Sequence, residues 1–176
     1  MDTDMVWVFP NDCMGHEELR DILMANGFGK VLAAIAEHEQ NCVDHLTILN
    51  LSFVVTRKNT KLNFHLDYEP SLQGQAWNVI VPLELVRGGG PELVLRPTLA
   101  SNLHQEVKYQ KHTAVILGAK QWHSSGLYEY NRGEKFRCCL CIAVCHITPK
   151  NVDDIVKSME ANYPLPSREY LLEKLA

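Results

Sequence analysis

The sequence lacks the features that would place it at once among membrane, nucleic-acid-binding or secreted proteins. It has no run of roughly 18 apolar residues, the length that a membrane-spanning helix needs, so we expect no membrane partner. Its formal net charge is -4, which argues against a nucleic-acid-binding surface. Met1 to Asp4 is acidic, without the basic and apolar stretches of a secretion signal. We therefore expect a cytoplasmic or otherwise intracellular protein, although a piece of a longer chain would look the same.

Internal repeats, low-complexity tracts and linkers are also missing. At 176 residues, the chain is long enough for one continuous hydrophobic core. The apolar share of 46% and the charged share of 22% are ordinary for a globular protein. These observations predict a single domain over residues 1–176 and leave the oligomeric state open.

The cysteines do not form a recognisable disulfide or zinc pattern. Four of the six lie in one apolar run, at Cys138, Cys139, Cys141 and Cys145. Adjacent and alternating cysteines are not typical of a disulfide framework, and the spacing does not supply two Cys-x2-Cys units for zinc. We interpret them as reduced thiols that pack a buried strand as small hydrophobic side chains.

Hydrophobic periodicity predicts helices at both ends of the chain and strands between them. A helical pattern runs from about His16 to Gln40 and is interrupted at Gly27-Phe28-Gly29. Two further helices are expected at about Val152–Ala161 and Ser167–Leu175. The expected strands are Leu46–Thr56, Leu62–Tyr68, Trp77–Val86, Glu92–Arg96, Thr113–Leu117, Gln121–Tyr130 and Lys135–Ile147, with Leu103–Gln110 left as strand or loop.

Turn signals separate these strands. They are expected at Arg57–Thr60, Arg87–Pro91, Gly118-Ala119 and Asn131–Glu134. The glycines of Arg87–Pro91 lack the Gly-Lys-Ser/Thr ending of a phosphate-binding loop, so we interpret them as a turn. Short strands flanked by helices favour a mainly β protein, a β-sandwich or jelly roll with its β-core at about 46–147, over a βαβ fold.

Three residues suggest a metal site within this β-core. His65 and Asp67 are separated by one residue, so on a strand both side chains would point to the same face. His123 follows later, in Trp122-His123-Ser124. Two imidazoles and one carboxylate form the facial triad that suits non-haem Fe(II) and leaves coordination positions open. The pattern predicts an iron oxygenase with His65, Asp67 and His123 as metal ligands and catalytic residues.

The order of these features resembles the Fe(II)/2-oxoglutarate-dependent dioxygenase superfamily, including its phytanoyl-CoA-hydroxylase-like and prolyl-hydroxylase-like members. The match covers roughly Leu46 to His146. Phe64–Tyr68 matches the strand of the first metal ligands, and Gln121–Ser125 matches the strand of the distal histidine. Ala76–Leu83 and Gly88–Leu93 are similar to the strand and the turn between them. The resemblance implies a double-stranded β-helix (jelly roll), with Fe(II), 2-oxoglutarate and O2 as cofactor and co-substrates.

The resemblance also implies a basic residue that binds the far carboxylate of 2-oxoglutarate. Arg132, Lys135 and Arg137 follow His123. We favour Arg137 because it lies inside an apolar run, where a guanidinium needs an anionic partner. Ser125 lies two residues after His123, on the same strand face, and is a second candidate to bind the co-substrate.

Several other polar and aromatic residues remain unranked candidates around this site. Trp77 is a candidate wall of the co-substrate pocket, although a core tryptophan is the more frequent case. Possible supporting groups are Asn50, Asn63, Tyr68, Tyr128 and Tyr130.

The expected reaction is hydroxylation with release of succinate and CO2. Asp67 fills the position that a halogenating relative would leave to a small residue. The substrate stays open between a small molecule and a peptide or protein side chain. The alternatives are a cupin-like metal-binding module and a catalytically inactive β-sandwich that serves as a scaffold.

Overall fold

The computed structural model describes residues 3–9, 13–39, 46–84, 93–129, 136–160 and 171–172. The helices are α1 (Cys13–Ala25), α2 (Gly29–Glu39) and α3 (Val152–Glu160), with a 3-10 turn at Pro70–Leu72. The strands are β1 (Thr3–Val8), β2 (Leu46–Asn59), β3 (Ala76–Glu84), β4 (Leu93–Arg96), β5 (Gln105–Val107), β6 (Val115–Gly118), β7 (Trp122–Ser125), β8 (Tyr128–Glu129) and β9 (Arg137–His146). In the part of the chain that is described, no helix is both long and apolar enough to cross a membrane.

The strands form two antiparallel sheets. The larger sheet has the order β1-β2-β9-β3-β6, and β8 pairs with the end of β2. The smaller sheet has the order β5-β4-β7. The predicted mainly β class with flanking helices is confirmed, and the two sheets agree with a double-stranded β-helix.

Three hydrophobic clusters occupy the two faces of the larger sheet. The first cluster packs α2 side chains such as Leu32 and Ile35 against Leu51 and Ile142 on the outer face. The second packs α3 against the same sheet nearer the end of β9. The third lies between the two sheets, since it joins Leu93 of β4 to residues of β2, β3, β6 and β9. This inner cluster forms the floor of the site described below.

The cysteines of β9 follow the alternation of the strand. Cys139 and Cys141 belong to the cluster between the sheets, whereas Cys145 packs in the cluster around α3. All three are buried free thiols, and Cys138 is partly exposed. The interpretation of this tract as reduced thiols packing a strand is confirmed. Burial raises the pKa of Cys141 and Cys145, so both stay protonated.

The turn predicted at Arg57–Thr60 is wrong, because β2 continues to Asn59. These residues gain partners on both sides: Asp4 of β1 lies opposite Lys58 on one edge, and Glu129 of β8 lies opposite Lys58 on the other. Cross-strand ion pairs of 2.8 Å join Arg57 to Asp4 and Lys58 to Glu129. Polar composition indicated a turn, but pairing with distant segments decides the conformation.

Other boundaries also differ from the sequence-based expectation. The segment predicted as Gln121–Tyr130 divides into β7 and β8, and the ambiguous stretch at Leu103–Gln110 contains the short strand β5. Strand β1 was not predicted at all, although Val6-Trp7-Val8 has strand-forming composition. The turns at Arg87–Pro91 and Asn131–Glu134, and most of the helix at Ser167–Leu175, lie outside the described residues.

Candidate metal centre

The fold brings His65, Asp67 and His123 together. One ligand atom from each of the three side chains lies within 4.8 Å of the others. The strand predicted at Leu62–Tyr68 is wrong, because His65 alone makes a β-bridge there, to His123 of β7. Its two backbone hydrogen bonds measure 3.0 and 3.1 Å. A single bridge is therefore enough to place the His-x-Asp pair beside the distal histidine.

Each imidazole ring is oriented by a backbone carbonyl oxygen two residues earlier in the chain. The Nδ1 atom of His65 lies 2.9 Å from the carbonyl oxygen of Asn63, and that of His123 lies 3.0 Å from the carbonyl oxygen of Gln121. A carbonyl only accepts hydrogen bonds, so each Nδ1 carries the proton. In the neutral tautomer, each Nε2 then presents a lone pair, which is the form that binds a metal.

These lone pairs point at the carboxylate. The Nε2 of His65 lies 3.6 Å from Oδ1 of Asp67, and the Nε2 of His123 lies 3.4 Å from Oδ2. Both distances exceed the roughly 2.7–3.2 Å of a normal N–H···O hydrogen bond. Two lone pairs facing an anion repel it unless a cation lies between them. The donor set therefore fits a divalent metal with two nitrogen ligands and one oxygen ligand.

The electrostatic environment keeps His123 neutral. Burial lowers the pKa of His123 because desolvation disfavours the imidazolium form, and the neighbouring His65 lowers it further, whereas Asp67 opposes both effects. The His123 side chain is only 7% exposed, but that of His65 is 50% exposed. The centre is thus closed on the β7 side and open to solvent at His65.

Asp67 is held by residues of β3. Asn78 Nδ2 donates a 2.8 Å hydrogen bond to Oδ2 of Asp67, the same oxygen that faces His123. The next residue, Tyr68, is buried and donates a 3.0 Å hydrogen bond to the carbonyl oxygen of Trp77. The carboxylate is therefore fixed both directly and through its backbone.

A cavity of about 260 Å³ connects this centre to Arg137. Its size is near the lower end of small-molecule pockets, which span roughly 300–1,000 Å³. Arg137 is 4% exposed, and its guanidinium lies 4.6 Å from the ring centre of Tyr128 and 5.7 Å from that of Tyr109. Arg137 Nη2 donates a weak 3.4 Å hydrogen bond to Ser125 Oγ.

The other predicted candidates take different positions. Asn63 lines the cavity, whereas Trp77 packs in the outer cluster with α2 and so is a core residue. Tyr68 anchors the backbone after Asp67, and Asn50 is buried in β2. Arg132, Lys135 and Tyr130 lie outside the described residues.

Sequence reasoning missed several contributors to this site, including Tyr109 beside Arg137. Asn78 could have been found, because it is the polar residue of the otherwise apolar run from Ala76 to Pro82. Met5 and Trp7 line the cavity from β1, and the strand composition of Val6–Val8 was the available signal. No local pattern shows that β1 would reach the cavity, since this depends on long-range pairing with β2.

Comparison with known proteins relates this fold to solved structures of low sequence identity. No protein-family model matches the sequence, and no curated protein matches it significantly. A Pseudomonas putida prolyl-4-hydroxylase aligns with a TM-score of 0.51 at 14% identity, over 83% of this chain and 73% of its own. The non-heme alpha ketoglutarate dependent epimerase SnoN from nogalamycin biosynthesis aligns at 0.57 and 16%, over 82% and 62%.

A third structure, AviO1 from Streptomyces viridochromogenes Tue57, aligns with a TM-score of 0.57 at 15% identity, over 92% of this chain and 69% of its own. The chain thus spans less than two thirds of the length of SnoN. At sequence identities this low, the alignments show a similar fold and do not show a shared activity. The predicted resemblance is confirmed at that level. The chain has a double-stranded β-helix fold, which it shares with these structures.

Proposed function

We propose that this chain is an Fe(II)- and 2-oxoglutarate-dependent oxygenase that hydroxylates its substrate, and that residues 1–176 form one domain. The observation that supports this most strongly is the convergence of the two Nε2 lone pairs on the carboxylate of Asp67. Such a set of two imidazoles and one carboxylate suits non-haem Fe(II) and leaves coordination positions open.

The metal ligands would be His65, Asp67 and His123. When bound, Fe(II) with 2-oxoglutarate supplies the activation of O2 and the oxidation of the substrate, with release of succinate and CO2. The protein contributes orientation, since each ring is held through Nδ1 and the carboxylate is held by Asn78. Hydroxylation is the proposed reaction because Asp67 occupies the carboxylate position of the triad.

Arg137 would bind the far carboxylate of 2-oxoglutarate. It lies in the same cavity as the three ligands and is buried among aromatic rings, where a guanidinium gains most from a bidentate anionic partner. Ser125 Oγ lies next to Arg137 Nη2 and would add a hydrogen bond to the same carboxylate. The aromatic rings of Tyr109 and Tyr128 keep the guanidinium in place through cation–π contacts.

An anaerobic titration of the Fe(II)-loaded protein with 2-oxoglutarate tests this proposal. We expect the weak visible charge-transfer band of the iron chelate in the wild type and its loss in His123→Ala. The matched control is His104→Ala, which removes a histidine from an exposed strand-flanking loop and should leave the band unchanged. Bound Fe(II) without a band would contradict the role of 2-oxoglutarate, and no bound Fe(II) would contradict the metal centre.

Turnover gives a second test of the ligand assignment. His65→Ala and Asp67→Ala should each abolish Fe(II) binding and succinate formation, because two remaining ligands cannot hold the metal in a site that is half open at His65. Succinate formation that survives both substitutions would refute the assignment.

A further inference from the structure

Two thiols form part of the floor of the cavity that contains the three candidate ligands. Cys139 and Cys141 both line this cavity, and both belong to the hydrophobic cluster between the two sheets. They are two residues apart on β9, so their side chains point to the same face of the strand. Among the described residues that line the cavity, Met5 of β1 is the third that contains sulfur. Thiols and thioethers both take up oxygen atoms, so these three residues are the candidates for oxidation in a site that activates O2.

The strand register places Met5 and Cys139 in the part of the cavity near Arg137. Met5 and Arg137 lie opposite the same residue, Thr56 of β2, from its two sides. Cys139 follows two residues after Arg137 on β9 and points to the same face. Both sulfur-containing side chains therefore flank the part of the cavity that the far carboxylate of 2-oxoglutarate would occupy.

Cys141 lies one step further along β9, toward the residue that holds Asp67. It pairs with Ile80 of β3, and Asn78, two residues before Ile80, pairs with Ala143. Asn78 and Cys141 are thus diagonal neighbours on the inner face of the sheet, roughly 7–8 Å apart. Because Asn78 donates its hydrogen bond to Asp67, the register makes Cys141 the nearest of the three sulfur-containing residues to the candidate metal ligands.

The charges of the site act on the Cys141 thiol. Burial raises the pKa of Cys141, Cys139 and Asp67 raise it further, and Arg137 lowers it. By contrast, burial alone raises the pKa of Cys145, which packs around α3 and does not line the cavity. Cys141 is not among the described residues that could together hold the metal. It is therefore a neighbour of the centre and not a ligand.

We propose that Cys141 is the site of self-oxidation when the centre turns over without a substrate. This inference rests on the proposed function, which supplies activated O2 and 2-oxoglutarate. One oxygen atom of O2 enters the new carboxylate of succinate, and the other is inserted into the S–H bond of Cys141, which becomes a sulfenic acid. The thiol, O2 and 2-oxoglutarate thus give the sulfenic acid, succinate and CO2. The sulfur and 2-oxoglutarate each lose two electrons, which together reduce O2.

Burial of Cys141 separates this reaction from oxidation by the solvent. Cys141 is 8% exposed, and its raised pKa keeps it protonated, the form that reacts slowly with dissolved peroxide. Cys138 is the partly exposed thiol of the same strand. An oxidant that arrives from solution should therefore modify Cys138 first, whereas oxygen that is activated in the cavity should modify Cys141.

Mass spectrometry after turnover without a substrate tests this assignment. The Fe(II)-loaded full chain is incubated with 2-oxoglutarate, O2 and catalase, denatured in excess dimedone, which labels sulfenic acids, and digested with trypsin. We expect a dimedone adduct at Cys141 of the peptide 138–150, and its loss when either Fe(II) or 2-oxoglutarate is omitted. Dithiothreitol added before dimedone should also remove the adduct, because thiols react with sulfenic acids.

Matched cysteine variants identify the thiol that reacts. Cys141→Ala should lose the adduct, and so should Cys141→Ser, which keeps the size of the side chain. Cys145→Ala is the control, since it removes a buried thiol from the same face of β9 outside the cavity and should keep the adduct. The iron–2-oxoglutarate band, recorded in each variant, verifies that the protein still folds and holds its co-substrate.

Three results would overturn the assignment of Cys141. They are succinate formation without an adduct at Cys141, an adduct of equal amount in the absence of 2-oxoglutarate, and oxidation of Cys138, Cys139 or Met5 in its place. Absence of both succinate and the iron–2-oxoglutarate band would instead refute the proposed function, and this inference with it.

Discussion

Replacing Asn78 by alanine should weaken metal binding without unfolding the protein. Asn78 is 4% exposed, and its Nδ2 donates a 2.8 Å hydrogen bond to the Asp67 oxygen that faces His123. Without this bond, the carboxylate loses one of the contacts that aim it at the two Nε2 atoms. The protein would then no longer fix the orientation of the Asp67 carboxylate before the metal binds, and the affinity for the metal would fall.

The structure allows the size of this effect to be estimated. A hydrogen bond to a charged group contributes about 1.5–3 kcal/mol, and about 1.4 kcal/mol corresponds to a tenfold change in affinity. Loss of a residue that orients a metal ligand typically costs roughly 10- to 100-fold in affinity, which agrees with this range. The loss should be toward the lower end, because Tyr68 still anchors the backbone next to Asp67.

Calorimetric titration with Mn(II), a redox-stable substitute for Fe(II), measures the affinity directly. We expect Asn78→Ala to bind Mn(II) at least about tenfold more weakly than the wild type. Asn102→Ala, which changes an exposed asparagine outside the site, should bind like the wild type. An Asn78→Ala protein with an intact circular dichroism spectrum and an Mn(II) affinity within about threefold of the wild type would refute the reasoning.

Three further predictions concern the co-substrate, the thiols and the core. Arg137→Ala should raise the 2-oxoglutarate concentration needed for half-saturation roughly 10- to 100-fold and leave the Mn(II) affinity unchanged. An unchanged half-saturation concentration would show that another basic residue binds the far carboxylate of 2-oxoglutarate. Iodoacetamide at pH 8 should label the tryptic peptide 138–150 at most once in the native protein, at Cys138, because the other three thiols of this peptide are buried. Mass spectrometry should show four labels after denaturation. Two or more labels in the native protein would contradict the burial of these thiols. Ile142 is fully buried between Leu51 and Val79, so Ile142→Ala should lower the free energy of unfolding in urea titrations by about 2–5 kcal/mol. Leu83 is exposed on β3, so Leu83→Ala should change this free energy by about 0.5 kcal/mol or less. Equal effects of the two substitutions would contradict the packing.

The parts of the fold that could be predicted are those with strong local patterns. Long apolar runs identified β2, β3 and β9, and glycines divided α1 from α2 close to where the structure divides them. The same alternation explains why Cys139 and Cys141 lie together on the inner face of β9. Short or polar strands such as β5 and β8 carry no such pattern, and their conformation depends on partners far away in the chain.

The candidate metal centre could be predicted from the sequence for a different reason. His65 and Asp67 are separated by one residue, so the single β-bridge between His65 and His123 is enough to bring all three side chains together. By contrast, the positions of Asn78 and Trp7 relative to the centre depend on the register of β3 and β1 in the larger sheet. Sequence reasoning therefore finds candidate ligands more readily than the groups that orient them or shape the cavity.

The weak attachment of the His-x-Asp segment links metal binding to the order of the site. Between Thr60 and Pro70, the segment has one β-bridge, from His65 to His123 of β7. The backbone N–H of Asn63 also donates a hydrogen bond to Ser124 Oγ of β7. Asp67 is held in addition by the Asn78 hydrogen bond and by the buried Tyr68 that follows it. A metal bound by all three ligands would add a cross-link between this segment and β7, and binding that favours one arrangement stabilises that arrangement. We therefore expect the order of this segment to increase when the metal binds.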